Sequence, residues 1–82
     1  MIATVTREQV QGLHVGQTRV EVEQRLGRPV RTDGGGLTVL VYRLDNAHDV
    51  RIAFGPGLLW AREMLDGAER DLVRGHPTTR RR

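Results

Sequence analysis

The sequence predicts an α+β domain in which two short N-terminal helices pack on one face of a three-stranded antiparallel sheet, in the order ααβββ. Two helix-capping signals open the chain, and alternating apolar residues bounded by glycine turns follow in its second half. Eighty-two residues without cysteine support one modest core and no disulfide framework. We therefore expect a single domain over residues 1–74, followed by a disordered basic tail over residues 75–82.

Both helices are predicted from capping boxes, in which a threonine and a Glu or Gln three residues later satisfy each other's backbone N–H groups. Thr6 with Gln9 opens the first helix, over residues 7–12, and Thr18 with Glu21 opens the second. The second helix ends at the Gly-Arg-Pro that follows it, because proline cannot continue a helix. The residues before the first box form either an edge segment or a loose terminus. Isolated helices this short are only marginally stable in water, so both must dock on the rest of the chain.

Three strands are predicted from alternation over residues 37–44, 49–55 and 58–65. Residues 31–36 precede them as a turn, because three successive glycines favour a flexible loop. The glycines do not predict a phosphate-binding loop, since such a loop runs into a helix and this one runs into a strand. After the third strand, Asp66-Gly67 interrupts the pattern, and we expect at most a short helical turn over residues 68–73.

Two alternatives remain open in this last part of the chain. Residues 60–73 contain several helix-forming residues and could instead form one amphipathic helix. If they form a strand, its register is ambiguous: Leu59, Ala61 and Leu65 would point one way, and Leu58, Trp60, Arg62 and Met64 the other.

The sheet face that the helices leave uncovered is the candidate functional site. Alternation places Tyr42, Val50, Ile52 and Phe54 toward the helices. The opposite face then carries an unusual mixture of apolar residues and arginines, namely Val39, Val41, Arg43, Arg51, Ala53 and, in one register of the third strand, Trp60, Arg62 and Met64. Trp and Arg are enriched at the centres of protein interfaces, so this face predicts a partner protein. The alternative is that Trp60 is a core residue under the C-terminal segment.

The helix-to-strand pattern resembles a known family. The residues that carry this resemblance are Gly16, Thr18, Val22, Leu26, Gly27, Pro29, Tyr42, Phe54 and Gly57. Their order is similar to that of the SmpA/OmlA (BamE-like) lipoprotein family and the wider β-lactamase-inhibitor-protein-like superfamily. The resemblance implies a helix hairpin on one face of an antiparallel sheet. It also implies a non-enzymatic bacterial interaction module for cell-envelope assembly or protein inhibition.

This chain departs from the envelope members of that family, because it shows neither a secretory signal nor a lipid-bearing cysteine. Met1 stands directly before the domain, so we expect a soluble cytoplasmic offshoot. The cell envelope is the alternative compartment if a signal peptide has been removed. No apolar run is long enough to predict a transmembrane segment.

We expect no enzyme, cofactor or metal site. His14, His48 and His76 lie in separate loops without cysteine or an i,i+4 partner, and the chain has no serine. The helix hairpin resembles a DNA-binding helix-turn-helix only superficially, because strands follow it where that motif needs a third helix.

The net charge of +3 belongs to the three C-terminal arginines, since the other ten arginines match ten acidic residues. Nucleic acid is therefore not the expected partner. The alternative function is an anionic-polymer binder, for nucleic acid or an acidic membrane, acting through Arg70, Arg74 and Arg80 to Arg82. An exposed edge strand would also allow strand-to-strand dimerisation.

Overall fold

Six strands and two short helices make up residues 4–73, the part of the chain that the computed structural model describes. In chain order they are β1 Thr4–Val5, α1 Arg7–Gln11, α2 Arg19–Leu26, β2 Arg31–Gly34, β3 Thr38–Leu44, β4 Asp49–Phe54, β5 Leu58–Leu65 and β6 Ala68–Val73. The strands form one mixed sheet in the order β1-β3-β4-β5-β6, and β2 also pairs with β3. The three-stranded ααβββ prediction is therefore wrong. The tail predicted over residues 75–82 lies outside the described residues.

Both capping boxes form as predicted. The Thr6 hydroxyl accepts a hydrogen bond from the Gln9 backbone N–H, and the Gln9 side chain accepts one from the Thr6 N–H. Thr18 and Glu21 make the same reciprocal pair at the start of α2. That helix ends at Gly27, whose φ of 86° favours glycine. The predicted helices are confirmed, although α1 stops at Gln11.

Three additional strands lie at the two edges of the sheet. Thr4–Val5 runs parallel to the end of β3, which makes this terminus an edge segment. Arg31–Gly34 was predicted as turn but pairs antiparallel with β3, and the connecting loop is confined to residues 35–37. Glycine does not prevent strand pairing when a neighbouring strand supplies the backbone partners, so the triple glycine marks a hairpin and not a long loop.

The segment after β5 is a strand and not the predicted helical turn. Asp66 and Gly67 form a two-residue hairpin loop between the paired residues Leu65 and Ala68, and Gly67 adopts a φ of 72°. The hairpin returns the chain alongside β5 as β6, and this pairing overrides the helix propensity of the segment. The single long helix over residues 60–73 is likewise absent, and the predicted β5 strand is confirmed.

The core lies between the helices and one face of the sheet, here called the helix side. Val10, Leu13, Val22 and Leu26 from the helical region pack against buried sheet residues that include Leu40, Tyr42, Leu44, Val50, Ile52 and Phe54. The Tyr42 O–H donates a hydrogen bond of 2.8 Å to the Gly27 carbonyl, which fixes the end of α2 to β3. Burial raises the pKa of Tyr42 to about 12.

A β-bulge decides the register of β5. Phe54 pairs with Leu58 and Ala53 pairs with Trp60, so Leu59 is an extra residue between the two pairs. Leu58 therefore faces the helix side and is fully buried, whereas Trp60 faces the opposite side. Regular alternation grouped Leu58 with Trp60 and could not anticipate this inversion.

The loop between the helices is bonded to the start of β5. Gly16 N–H donates to the Leu58 carbonyl at 2.9 Å, and Leu58 N–H donates to the Gln17 carbonyl at 2.7 Å. The two backbones approach so closely that a Cβ on Gly57 would lie 2.5 Å from the Gly16 carbonyl oxygen. Glycine at position 57 is therefore required for the helices to dock.

We expect Gly57→Ala to lower the free energy of unfolding by about 1–3 kcal/mol, because a backbone carbonyl cannot move aside without breaking the loop contact. Urea unfolding followed by far-UV circular dichroism measures this. The matched control is Gly35→Ala, where a Cβ meets no atom within 4 Å, and its expected change is within about 0.5 kcal/mol. Equal stability of the two variants would contradict the docking role of Gly57.

Candidate functional site

The face of the sheet opposite the helices is called the open face. Strand pairing places on it Arg31, Asp33, Val39, Val41, Arg43, Asp49, Arg51, Ala53, Trp60, Arg62, Met64, Glu69 and Asp71. All six candidate residues from the sequence, Val39, Val41, Arg43, Arg51, Trp60 and Arg62, are thus brought together. No buried residue of either helix belongs to the small apolar cluster on this face.

The centre of the open face is apolar. Val39, Val41 and Ala53 are buried there, and Trp60 packs against them while staying partly exposed. Val41 has no exposed surface, although neither helix lies over it. Its neighbours in register are Arg31 and Arg51, and the long aliphatic stems of arginines cover apolar surface in this way.

Acidic residues pair with the arginines around this centre. Arg43 Nε donates to Asp49 at 2.8 Å, and Arg31 Nε donates to Asp33 at 3.2 Å. Arg62 bonds two carboxylates of β6, Asp71 at 3.1 Å and Glu69 at 3.4 Å. Arg43, Arg51 and Arg62 were predicted for this face, whereas Arg31 and the acids were not. Arg31, Asp33, Glu69 and Asp71 were missed because β2 and β6 were not predicted as strands, and Asp49 was overlooked although its strand was predicted.

The indole of Trp60 is held by Arg62. The Arg62 guanidinium carbon lies 4.4 Å above the centre of the ring, a cation–π distance. Because the same guanidinium is fixed by β6 carboxylates, it supports the ring from one side. The indole is therefore presented as a partly exposed, preorganised surface and is not enclosed beneath the helices.

Arg51 lies at the middle of the face in a less favourable setting. It stands directly opposite Arg62 across β4 and β5, where two like charges repel each other. Its ion pair with Asp33 spans 3.7 Å between nitrogen and oxygen. Its Nε is buried and has no hydrogen-bond partner among residues 4–73. Arg51 is thus the incompletely satisfied cation of the open face.

A second polar cluster, on the helix side, surrounds Glu63. This carboxylate is fully buried and accepts two hydrogen bonds from Arg7, at 3.0 and 3.1 Å. Asn46 donates a third bond at 3.2 Å, and His48 Nδ1 lies 2.7 Å from the same carboxylate oxygen. The cluster ties α1 and the turn between β3 and β4 to β5.

The bonds to Glu63, first that from Arg7, lower the pKa of this carboxyl to about 2 against the opposing effect of burial. Glu63 is therefore a buried, hydrogen-bonded carboxylate and not a solvated charge at a strand end. Its alternation with Ala61, a core residue, was the signal that could have placed it inside.

The described histidines form no metal centre. His14 is exposed, His48 is bound to Glu63, and His76 lies outside the described residues. Within residues 4–73, no three side chains of metal-binding type are grouped to hold an ion. No helix over the same range is long and apolar enough to cross a membrane.

Fold and face together define a small α+β domain with helices on one side of a mixed sheet and a charge-paired apolar face on the other. No family model, no curated protein and no solved structure matches the chain. The resemblance to the SmpA/OmlA family therefore stays a prediction from the sequence pattern.

We expect Glu63→Gln to lower the free energy of unfolding at pH 7 by about 1–3 kcal/mol, a range reduced by solvent screening at the partly exposed Arg7. Because the folded-state pKa of Glu63 lies below the ordinary value of 4.5, its contribution is complete above pH 4.5 and is lost as the pH falls to about 2. The difference between wild type and variant should disappear over that interval.

Urea unfolding at a series of pH values measures this difference. Asp66→Asn is the matched control, since Asp66 is exposed in the β5–β6 turn and its removal should leave the pH profile of wild type unchanged. A Glu63→Gln difference that persists undiminished at pH 2 would show that charge is not the source of the stabilisation.

Proposed function

We propose that this protein is a non-enzymatic interaction module that binds a partner protein through the open face. The observation that carries the proposal is the partly exposed Trp60, packed on a buried apolar cluster to which neither α1 nor α2 contributes a residue. Tryptophan and arginine contribute most to binding when they lie at the centre of an interface. Here they occupy the middle of the face, and acidic residues lie around them.

The arrangement also supports binding without a large entropic cost. Trp60 is held by Arg62, and Arg62 is held by β6 carboxylates, so the central side chains are ordered before a partner arrives. Side chains that are already ordered lose less freedom on association. The resemblance to the SmpA/OmlA and β-lactamase-inhibitor-protein-like families adds the expectation of a protein as partner.

The described residues give less support to the anionic-polymer alternative. A nucleic acid or membrane surface is bound by an excess of cations, whereas the described part of the open face carries four arginines and four carboxylates. Arg70 lies on β6 opposite the buried Glu63, on the helix side. The other arginines of that alternative, Arg74 and Arg80 to Arg82, lie outside the described residues.

The proposal is tested by first identifying the partner and then measuring its affinity. A photo-crosslinking residue at Met64, which lies partly exposed on the open face, should capture the partner. With the purified partner, Trp60→Ala should raise Kd at least about tenfold, and Arg51→Ala should also weaken binding. Isothermal titration calorimetry measures both values.

Val20→Ala is the matched control, because Val20 is 64 % exposed on α2, away from the open face. It should leave Kd unchanged. Circular dichroism confirms that each variant is folded before its affinity is interpreted. A partner that binds the folded Trp60→Ala variant as tightly as it binds wild type would contradict the proposed function.

A further inference from the structure

We infer that Arg51 binds a carboxylate of the partner, so that the open face accepts an Asp or Glu side chain that has an apolar neighbour. The inference rests on the proposed function, because it names the partner chemistry of the same face. The evidence for it is that Arg51 has a poorer carboxylate partner than the other arginines of the open face.

Each of the other open-face arginines makes a hydrogen bond to a carboxylate of the chain itself, at 2.8 to 3.2 Å for its shortest contact. Arg51 reaches Asp33 at 3.7 Å, and Asp33 is already hydrogen-bonded to Arg31. Among the described residues, Arg51 is therefore the open-face cation with the weakest internal partner.

The strands on either side of Arg51 do not supply a better carboxylate partner for it. At the same level of the sheet its neighbours are Val41 on β3 and Arg62 on β5. The carboxylates of β6 that compensate Arg62 lie one strand further away. An incoming anion would thus relieve the repulsion between Arg51 and Arg62, in addition to making its own ion pair.

The geometry of the guanidinium selects a carboxylate. No described residue accepts a hydrogen bond from the buried Nε of Arg51, and a desolvated donor without an acceptor is costly. The side chain is 39 % exposed. An outward turn of the guanidinium would present Nε together with a terminal nitrogen. These two donors match the two oxygens of a carboxylate in a bidentate pair.

The surroundings restrict the occupant further. On the same face, Val39, Ala53 and Trp60 lie two positions along the strands from Arg51, so the group on that side of the carboxylate is expected to be apolar. The carboxylates of the face, Asp33, Asp49, Glu69 and Asp71, would repel an extended phosphate chain but leave room for one acidic side chain. The structure therefore favours an acidic residue in an apolar protein segment over a polyanion.

The test uses the full chain and two blocked peptides, acetyl-Leu-Glu-Leu-amide and acetyl-Leu-Gln-Leu-amide, which differ only in charge. Two-dimensional NMR follows the Nε–H signal of Arg51 and the indole N–H signal of Trp60 at low salt. The Glu peptide should shift both signals saturably. The Gln peptide should bind at least about tenfold more weakly than the Glu peptide.

Arg51→Gln should reduce the affinity for the Glu peptide to that for the Gln peptide. Arg51→Lys keeps the positive charge but loses the bidentate geometry of the guanidinium. Its affinity for the Glu peptide should lie between those of wild type and Arg51→Gln. Arg25→Gln, on the exposed side of α2, is the matched control and should bind like wild type. The dispersed amide spectrum of each variant reports that it is folded.

Equal affinity of the two peptides for wild type, or an unchanged Glu preference in Arg51→Gln, would overturn the inference. The absence of any Arg51 shift would also overturn it. These results would not contradict the proposed interaction module, because that function is tested separately by the effect of Trp60→Ala on the Kd for the identified partner.

Discussion

The short length of the two helices is the constraint on which the rest of the structure depends. Together the helices have only a few turns, over Arg7–Gln11 and Arg19–Leu26, and their buried residues all pack on one side of the sheet. They are anchored there by the Tyr42–Gly27 bond and by the backbone contact at Gly57. The second face must therefore be shielded from water by its own side chains.

Arginine and its carboxylate partners do this shielding. Val41 is completely buried beneath a face that has no covering helix, because Arg31 and Arg51 flank it. An arginine can cover apolar surface with its stem while its charged group stays hydrated, which lysine does with less directional pairing. The exclusive use of arginine as the basic residue in this chain fits that role on the open face.

The sequence allowed prediction of elements whose signals are local. The capping boxes at Thr6 and Thr18 fix the helix starts, and the alternation of β3 and β4 correctly separates core from open-face residues. The edge strands β2 and β6 escaped prediction, and β1 was only one of two alternatives for its segment, because the conformation of an edge strand is imposed by the strand beside it. The acidic partners on β2 and β6 were missed for the same reason, and the bulge at Leu59 has no signature in the alternation.

A charge-balanced face recognises a partner by the placement of charges and not by their sum. Long-range attraction is weak for such a surface, so discrimination must come from contacts made at close range. On the open face most ion pairs are already complete, which means that a partner gains little by competing for Arg43 or Arg62. At Arg51 the internal pairing is poor, and a correctly placed carboxylate removes a defect that already exists in the free protein. A partner with a neutral residue at that point would cover the buried Nε and leave the defect in place, which is a penalty against the wrong partner.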